Sequence, residues 1–230
     1  FIKIGSYEND TIIETKTYNS VNELVSNSNF VLKHEQLIYS SVTDQHNALV
    51  ETFSGRMKIF DFNEIQNLPI KNLYLNPSSL GSDRLLAALG SYCLYPNTNV
   101  LSIDCGTCIK FNMVNAQAEF LGGSISPGMK MRYEALNHGT DKLPLIESNE
   151  LKPEVIGNST ENSIRSGVVN GIIGEINYFM SEYKSSFDKL NIIVTGGDGA
   201  YFAKHLKSTI FVEPNLLLNG LNLALKYQLD

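Results

Sequence analysis

One segment near the middle of the chain constrains the fold more than any other. An apolar run, Val100–Ile103, leads into Asp104, then Gly106 and Thr107, and a second strand-like run, Ile109–Val114, follows at once. This corner can place a carboxylate beside backbone N–H groups that a glycine leaves uncovered. Exposed amides bind anions and carboxylate oxygens bind hard cations, so the corner suits a phosphate and its cation. Asp and Gly also mark ordinary hairpin turns, so the motif alone leaves both interpretations open.

The rest of the chain alternates strand-like and helix-like runs, which is typical of an α/β fold. A hairpin is predicted over residues 1–18. A second buried-type strand, Leu190–Val194, ends in the glycine-rich loop Thr195–Gly199, and another glycine-rich loop spans Gly122–Gly128. Ligands of open α/β sheets bind at the carboxyl ends of strands. The corners at Asp104 and after Leu190–Val194 are therefore expected to face one cleft.

Composition narrows the possible functions. The chain has 230 residues, enough for one large domain or two small ones, and a net charge of −6. Nucleic-acid phosphates need a basic surface, so nucleic acid is not expected as a partner. No apolar run approaches the roughly 20 residues of a membrane span, and the first residues lack the pattern of a signal peptide. Three cysteines do not suggest a secreted disulfide framework. We therefore expect a cytoplasmic protein that does not bind membranes.

Cys105 and Cys108 form a C-x-x-C motif, for which redox and zinc roles must be weighed. A zinc site needs a second ligand pair, and Cys93 with four scattered histidines offers no matching spacing. A thioredoxin-type pair opens a helix, whereas this one lies between two strand-like runs. The sequence favours an incidental pair.

Two further segments have ordinary structural explanations. Gly81-Ser82-Asp83-Arg84 leads into a predicted helix, where Asp83 complements the helix dipole and Arg84 is solvated. Thr160 is predicted to cap a long helix that carries glycines at positions 167, 171 and 174. Each glycine weakens a helix by roughly 1 kcal/mol relative to alanine, so we expect close packing of another backbone as compensation. Packing on the chain's own sheet would suffice for this.

Taken together and in order, these motifs resemble the type III pantothenate kinases of the acetate and sugar kinase, Hsc70 and actin superfamily. No single block is decisive, but the five lie in the family's order. The matching blocks are Tyr74 with Pro77 and Leu80-Gly81-Ser82-Asp83-Arg84; Asp104-Cys105-Gly106-Thr107; Gly122 to Gly128; Thr160 with Ile164-Arg165-Ser166-Gly167; and Thr195 to Gly199. Before Tyr74 the resemblance rests on pattern rather than motif.

The resemblance implies a fold and a reaction. The fold would be α/β, with two ribonuclease H-like lobes of the actin-like ATPase type around a central cleft, over residues 1–95 and 96–230. The family forms homodimers and transfers the γ-phosphoryl of ATP to the primary hydroxyl of pantothenate. This is the first step toward coenzyme A.

The resemblance also implies a role for each matching residue. Asp83 corresponds to the general base, and Asp104 to the ligand of a monovalent cation, potassium or ammonium. Mg²⁺ is expected with ATP. The pantothenate-binding positions are Tyr74, Gly81, Ser82, Asp83, Arg84 and Thr160. The ATP-binding positions are Gly106, Thr107, Gly196 and Gly197. We further expect Arg84 to hold the pantothenate carboxylate, because a guanidinium grips a carboxylate with two parallel hydrogen bonds.

The sequence departs from the family in one respect. The family begins with a phosphate-binding hairpin of the form Asp-x-Gly-Asn-Thr, and Phe1-Ile2-Lys3-Ile4 resembles the strand that follows that loop. We expect a short segment carrying the loop to precede Phe1, because a lobe without its first strand would leave an open sheet edge.

Two other functions remain open on the sequence. One is a non-catalytic regulatory relative on the same fold, of the transcriptional accessory type, which the missing loop keeps open. The other is a different sugar or acetate kinase of the superfamily. An enzyme is favoured over a binding module by four residues, Asp83, Arg84, Asp104 and Thr107. The Gly81–Arg84 block after Tyr74 argues against another kinase of the superfamily.

Overall fold

The computed structural model describes residues 2–41, 46–147 and 151–229; Phe1, which the predicted hairpin includes, lies outside them. The strands are β1 (Ile2–Glu8), β2 (Thr11–Tyr18), β3 (Gln36–Tyr39), β4 (Lys58–Asp61), β5 (Lys71–Asn72), β6 (Val100–Cys105), β7 (Cys108–Val114), β8 (Glu119–Gly122), β9 (Ile125–Pro127), β10 (Asn191–Thr195) and β11 (Phe211–Val212). The helices are α1 (Val21–Ser26), α2 (His46–Phe53), α3 (Ser82–Leu94), α4 (Met129–His138), α5 (Thr160–Ser186), α6 (Gly199–Ala203) and α7 (Leu216–Lys226). The predicted α/β class is confirmed. Within the described ranges, no helix is both long and apolar enough to cross a membrane.

The chain forms two compact units. The first comprises Phe1–Leu94 and Leu216–Asp230, and the second comprises Tyr95–Asn215. The sequence interpretation assigned all of residues 96–230 to the second lobe. Leu216–Asp230 instead belongs to the first unit, because α7 packs against α3.

The first unit begins with the predicted hairpin. Strands β1 and β2 pair antiparallel around a turn at Asn9, which adopts a left-handed backbone with φ of 55°. Ser20 then caps α1, because its hydroxyl accepts a hydrogen bond from the backbone N–H of Glu23 at 3.2 Å. Strands β3 and β4 pair in parallel. The apolar core of this part of the unit consists of Tyr18, Val21, Leu24, Phe30, Val31, Leu49 and Phe53.

Helices α3 and α7 approach each other closely at two glycines. A Cβ atom on Gly90 would lie 2.1 Å from the carbonyl oxygen of Leu216, and one on Gly220 would lie 2.2 Å from that of Leu86. These separations are shorter than any van der Waals contact, so only glycine permits them. The contact attaches the C-terminal helix to the first unit.

The second unit is built on a mixed sheet in which β6 is central. Its strand order is β11-β10-β6-β7-β8, and β9 also pairs with β7. β10 runs parallel to β6, whereas β7 runs antiparallel to it. Every residue of β6 is buried. One face of the sheet packs its Leu101, Ile103, Phe111 and Met113 against α5.

Helix α5 has one buried face and one exposed face. Ile164, Val168, Ile172 and Ile176 are buried against the sheet. The three glycines lie on the exposed face, and a Cβ atom on Gly167 or Gly174 would meet no described atom within 4 Å. The expectation that these glycines pack against the chain's own sheet is therefore wrong, since the sheet contacts the opposite face of the helix.

The contact between α3 and α7 predicts a large effect of a single methyl group. Gly90→Ala should lower the free energy of unfolding by roughly 1–3 kcal/mol, because overpacking outweighs the gain in helix propensity. Lys130→Ala, which truncates an exposed side chain on α4, should change the free energy of unfolding by less than about 0.5 kcal/mol. Urea denaturation of both variants measures the difference. Equal midpoints for Gly90→Ala and the wild type would contradict the close contact.

Candidate active site

In the first unit, the predicted base lies in the first turn of α3. The Asp83 side chain folds back toward its own chain: Oδ1 accepts a hydrogen bond from the backbone N–H of Arg84 at 2.8 Å. The same oxygen lies 2.7 Å from the position that a Cβ atom on Gly81 would take, so a larger residue there would displace the carboxylate. Ser82 accepts a hydrogen bond from the Ser40 hydroxyl at 2.9 Å. The Gly81–Arg84 block therefore forms one turn around the Asp83 carboxylate.

Arg84 is only 4% exposed, although it carries a charge. A buried charge needs partners, and the ring of Tyr74 supplies one of them. The guanidinium carbon lies 5.5 Å from the centre of that ring, and Nη1 donates to the Tyr74 hydroxyl at 3.5 Å. Tyr74 is itself held by Asn72, whose side-chain oxygen accepts from the Tyr74 backbone N–H at 3.0 Å. The structure thus brings together Tyr74, Asp83 and Arg84. The expectation of a solvated Arg84 is wrong.

In the second unit, Asp104 stands near the end of β6 and is 8% exposed. Lys110 lies directly opposite on β7, and its Nζ is 2.9 Å from Asp104 Oδ2. Sequence reasoning missed Lys110. The signal was available: in a hairpin that turns at Gly106 and Thr107, residues 104 and 110 pair across the strands.

Two loops close around the Asp104 corner. Gly196, which follows β10, has φ of 90°, and a Cβ atom there would lie 2.4 Å from the Cys105 carbonyl oxygen. The backbone N–H of Asp198 donates to that same oxygen at 2.9 Å. From the other loop, the N–H of Gly128 donates to the Thr107 carbonyl at 3.0 Å. The predicted proximity of the corners after β6 and β10 is confirmed, because the two strands are parallel neighbours.

A charged network holds the Gly122–Gly128 loop onto α5. Arg132 on α4 donates to the Pro127 carbonyl through Nε at 2.8 Å and pairs with Glu175. Ser126 also bonds to Glu175. Both charged side chains are about one-fifth exposed, at 22% and 20%. The network anchors the loop that contacts Thr107, and no sequence motif had singled out Arg132 or Glu175.

Thr160 is the first residue of α5 and is exposed. Ser159 caps the helix instead, because its hydroxyl accepts from the N–H of Asn162 at 3.2 Å. The predicted cap is therefore wrong by one residue. Both residues have hydroxyls suited to capping, and only the backbone geometry distinguishes them.

Of the C-x-x-C pair, Cys105 packs in the core, whereas Cys108 is only partly buried. Cys105, the last residue of β6, is fully buried in the apolar core. Burial raises the pKa of its thiol well above the ordinary value, and nearby carboxylates, Asp104 first among them, act in the same direction. A thiol in that state is a poor nucleophile and metal ligand. Across residues 2–41, 46–147 and 151–229, no group of three His, Cys, Asp or Glu side chains could hold a metal ion.

Comparison with known proteins identifies relatives along nearly the whole chain. A family model described as type III pantothenate kinase matches residues 2–182. A type III pantothenate kinase of Cytophaga hutchinsonii is 40% identical over 228 residues, covering 99% of this chain and 95% of the relative. The one from Flavobacterium johnsoniae is 36% identical over 233 residues, covering 100% and 95%.

A similar fold is present among solved structures. The crystal structure of a conserved putative Baf family transcriptional activator from Campylobacter jejuni superimposes with a TM-score of 0.60 at 18% identity. The match covers 87% of this chain and 88% of that protein. At this identity the likeness concerns the fold alone.

The left-handed backbone at Gly196 generates a prediction about the corner. Gly196→Ala should lower the free energy of unfolding by more than about 1–3 kcal/mol, because strain at positive φ adds to a clash with the Cys105 carbonyl. Gly197→Ala is the matched control, since a Cβ atom there meets nothing within 4 Å. Thermal unfolding of the two variants should differ clearly. Equal losses would mean that the Gly196 contact does not constrain the loop.

Proposed function

We propose a role for each site residue on one premise: the chain belongs to the type III pantothenate kinase family. It phosphorylates pantothenate with ATP, the first step of coenzyme A synthesis. The observation that carries this conclusion is the family match over residues 2–182, together with 40% identity to a named member across 99% of the chain. We infer a cytoplasmic location for this metabolic reaction.

Asp83 acts as the general base in this proposal. Phosphoryl transfer needs positioning and charge neutralisation more than covalent chemistry. A carboxylate within hydrogen-bond reach of the attacking hydroxyl can accept its proton. The turn formed by Gly81 and Ser82 supports this role, because it holds the carboxylate without burying it fully.

Arg84 and Tyr74 bind pantothenate in this proposal. The guanidinium is fixed over the Tyr74 ring, and its planar fork matches the geometry of the pantothenate carboxylate. We assign Ser82 and the backbone of Gly81 to pantothenate binding as well. We also assign pantothenate contact to the exposed Thr160, on the family resemblance alone.

The corner of the second unit binds ATP in this proposal. Backbone N–H groups of Thr107, Gly196 and Gly197 lie in the two neighbouring glycine loops and are suited to phosphate oxygens. The N–H of Gly106 donates to the Cys108 carbonyl at 3.1 Å, so Gly106 contributes to ATP binding by leaving the turn without a side chain. Mg²⁺ keeps several waters and is held largely by substrate phosphates, so it needs few protein ligands here. Its chemistry is to neutralise the charge on the transferring phosphoryl group. A free monovalent cation does not fit on Oδ2 of Asp104, because that oxygen is already paired with the ammonium of Lys110.

A regulatory role without turnover is the alternative. The likeness to the Campylobacter jejuni protein concerns the fold, and identity to it is 18%. The arrangement of Asp83 beside Arg84 and Tyr74 favours an enzyme, since a binding module needs no base.

We also propose a homodimer in which a second copy packs on the exposed face of α5. Gly167, Gly171 and Gly174 let another backbone approach, and no described atom of the same chain covers Gly167 or Gly174. Gly174→Arg should therefore convert the dimer to a monomer in sedimentation velocity experiments. Gln117→Arg, in the exposed turn between β7 and β8, adds the same charge and should leave the dimer intact. A monomeric wild type would refute the dimer.

The kinase assignment is tested by coupled ADP release on the full natural chain. Asp83→Asn should lower kcat by roughly 10²- to 10⁴-fold with little change in KM for pantothenate, because general base catalysis contributes about that much. Arg84→Lys should mainly raise KM for pantothenate, since lysine lacks the two-pronged geometry. Asp141→Asn removes an exposed carboxylate and is the matched control.

Two outcomes would overturn these assignments. Wild-type protein without pantothenate-dependent turnover in any salt would refute the kinase. Nearly intact kcat in Asp83→Asn would reduce Asp83 to a positioning group.

A further inference from the structure

The Asp104 carboxylate is occupied by a cation that belongs to the chain itself. Lys110 Nζ lies 2.9 Å from Oδ2, and the two side chains are only 16% and 12% exposed. The pair is a direct cross-strand neighbour in the β6–β7 ladder, so the sheet fixes the approach of the ammonium. By contrast, the exposed pair of Lys130 and Glu134 on α4 is 3.7 Å apart and 86% and 39% exposed.

The other oxygen of Asp104 faces the glycine loops. Oδ1 lies 3.6 Å from the Cβ position of Gly106 and 2.5 Å from that of Gly196. The carboxylate therefore connects the Lys110 ammonium, on one oxygen, with the loops proposed to hold ATP phosphates, on the other. The positive charge of Lys110 beside these loops would offset the negative charge of a bound polyphosphate.

A separate monovalent cation does not fit on Oδ2. The position is taken by an ammonium group, and a second positive charge there would be repelled at close range with little water to screen it. A lysine ammonium is a compact point charge of the same sign and valence as K⁺ or NH₄⁺. Its effective concentration beside Asp104 is high because it is covalently attached.

We propose that Lys110 is a built-in monovalent cation, so that this enzyme turns over without added K⁺ or NH₄⁺. The proposal rests on the proposed kinase function, because only a polyphosphate substrate gives the charge a role. Lys110 is then the residue that determines cation specificity in this chain.

The first experiment needs no variant. Pantothenate-dependent ADP release by the wild type is compared in potassium, ammonium, sodium and tetramethylammonium chloride. The rates should agree within about twofold at constant ionic strength, because screening is then the same in every salt. Turnover only in potassium or ammonium would overturn the built-in cation and leave the kinase standing. Absence of turnover in every salt would refute the kinase itself, on which the proposal depends.

The second experiment tests whether a free ion can replace the ammonium of Lys110 in variants that lack it. Lys110→Ala removes the charge and opens space, whereas Lys110→Met removes the charge and fills the space. In tetramethylammonium chloride both should lose roughly 10²-fold in kcat, as expected for deletion of an electrostatic stabiliser. Potassium or ammonium should raise kcat of Lys110→Ala several-fold and leave kcat of Lys110→Met at its lowered value. Lys130→Met, on the exposed pair of the same unit, should match the wild type in every salt.

A binding readout separates this role from a purely structural ion pair. The melting temperature of Lys110→Ala should rise with potassium relative to tetramethylammonium, and that of the wild type should not. A structural ion pair alone would lower the melting temperature of both variants without any ion-specific recovery of kcat. That result, or full activity of Lys110→Met in tetramethylammonium, would overturn the proposal.

Discussion

The position of strand β6 between β7 and β10 is the constraint on which the second unit depends. Every residue of β6 is buried, so its backbone groups must bond to neighbouring strands on both sides. The parallel partner β10 ends beside it, which places the Thr195–Gly199 loop against Cys105. The antiparallel partner β7 returns through a tight turn, which places Lys110 opposite Asp104. The pairing of β6 with its two neighbours thus positions the Thr195–Gly199 loop, the β6–β7 turn and the Asp104–Lys110 ion pair.

Each unit contains a buried charged side chain, Arg84 in the first and Asp104 in the second. Arg84 is stabilised by the face and hydroxyl of Tyr74, a partner without a full charge. Asp104 and Lys110 neutralise each other. A buried ion pair adds little to stability on balance, because desolvation offsets most of the attraction. The presence of this ion pair in the corner is therefore better explained by the electrostatic field that it creates than by a contribution to the free energy of unfolding.

Much of the fold follows from local pattern. Alternating apolar runs and glycine corners predicted the α/β class and most strands, because strand periodicity and turn residues are local properties. The packing of Gly90 against Leu216 could not be predicted, since it joins positions 126 residues apart. The open face at Gly167 and Gly174 was also missed, because glycine spacing signals close approach without saying to what. Within the site, the resemblance selected Asp83, Arg84 and Asp104. The role of Lys110 follows from the pairing register of β6 and β7, and the burial of Arg84 follows from tertiary packing. Motif spacing encodes neither of these.

The packing of α7 on α3 has a consequence for the order of folding during synthesis. Residues 95–215 form one uninterrupted stretch, so this unit can complete its contacts without the C-terminal helix. The larger part of the first unit precedes this stretch in the sequence but lacks the partners of Gly90 and Leu86 until residues 216–226 have been made. Until then, the apolar face of α3 that packs against α7 stays exposed to solvent. The unit whose larger part precedes the other in the sequence is therefore the one that completes its packing last.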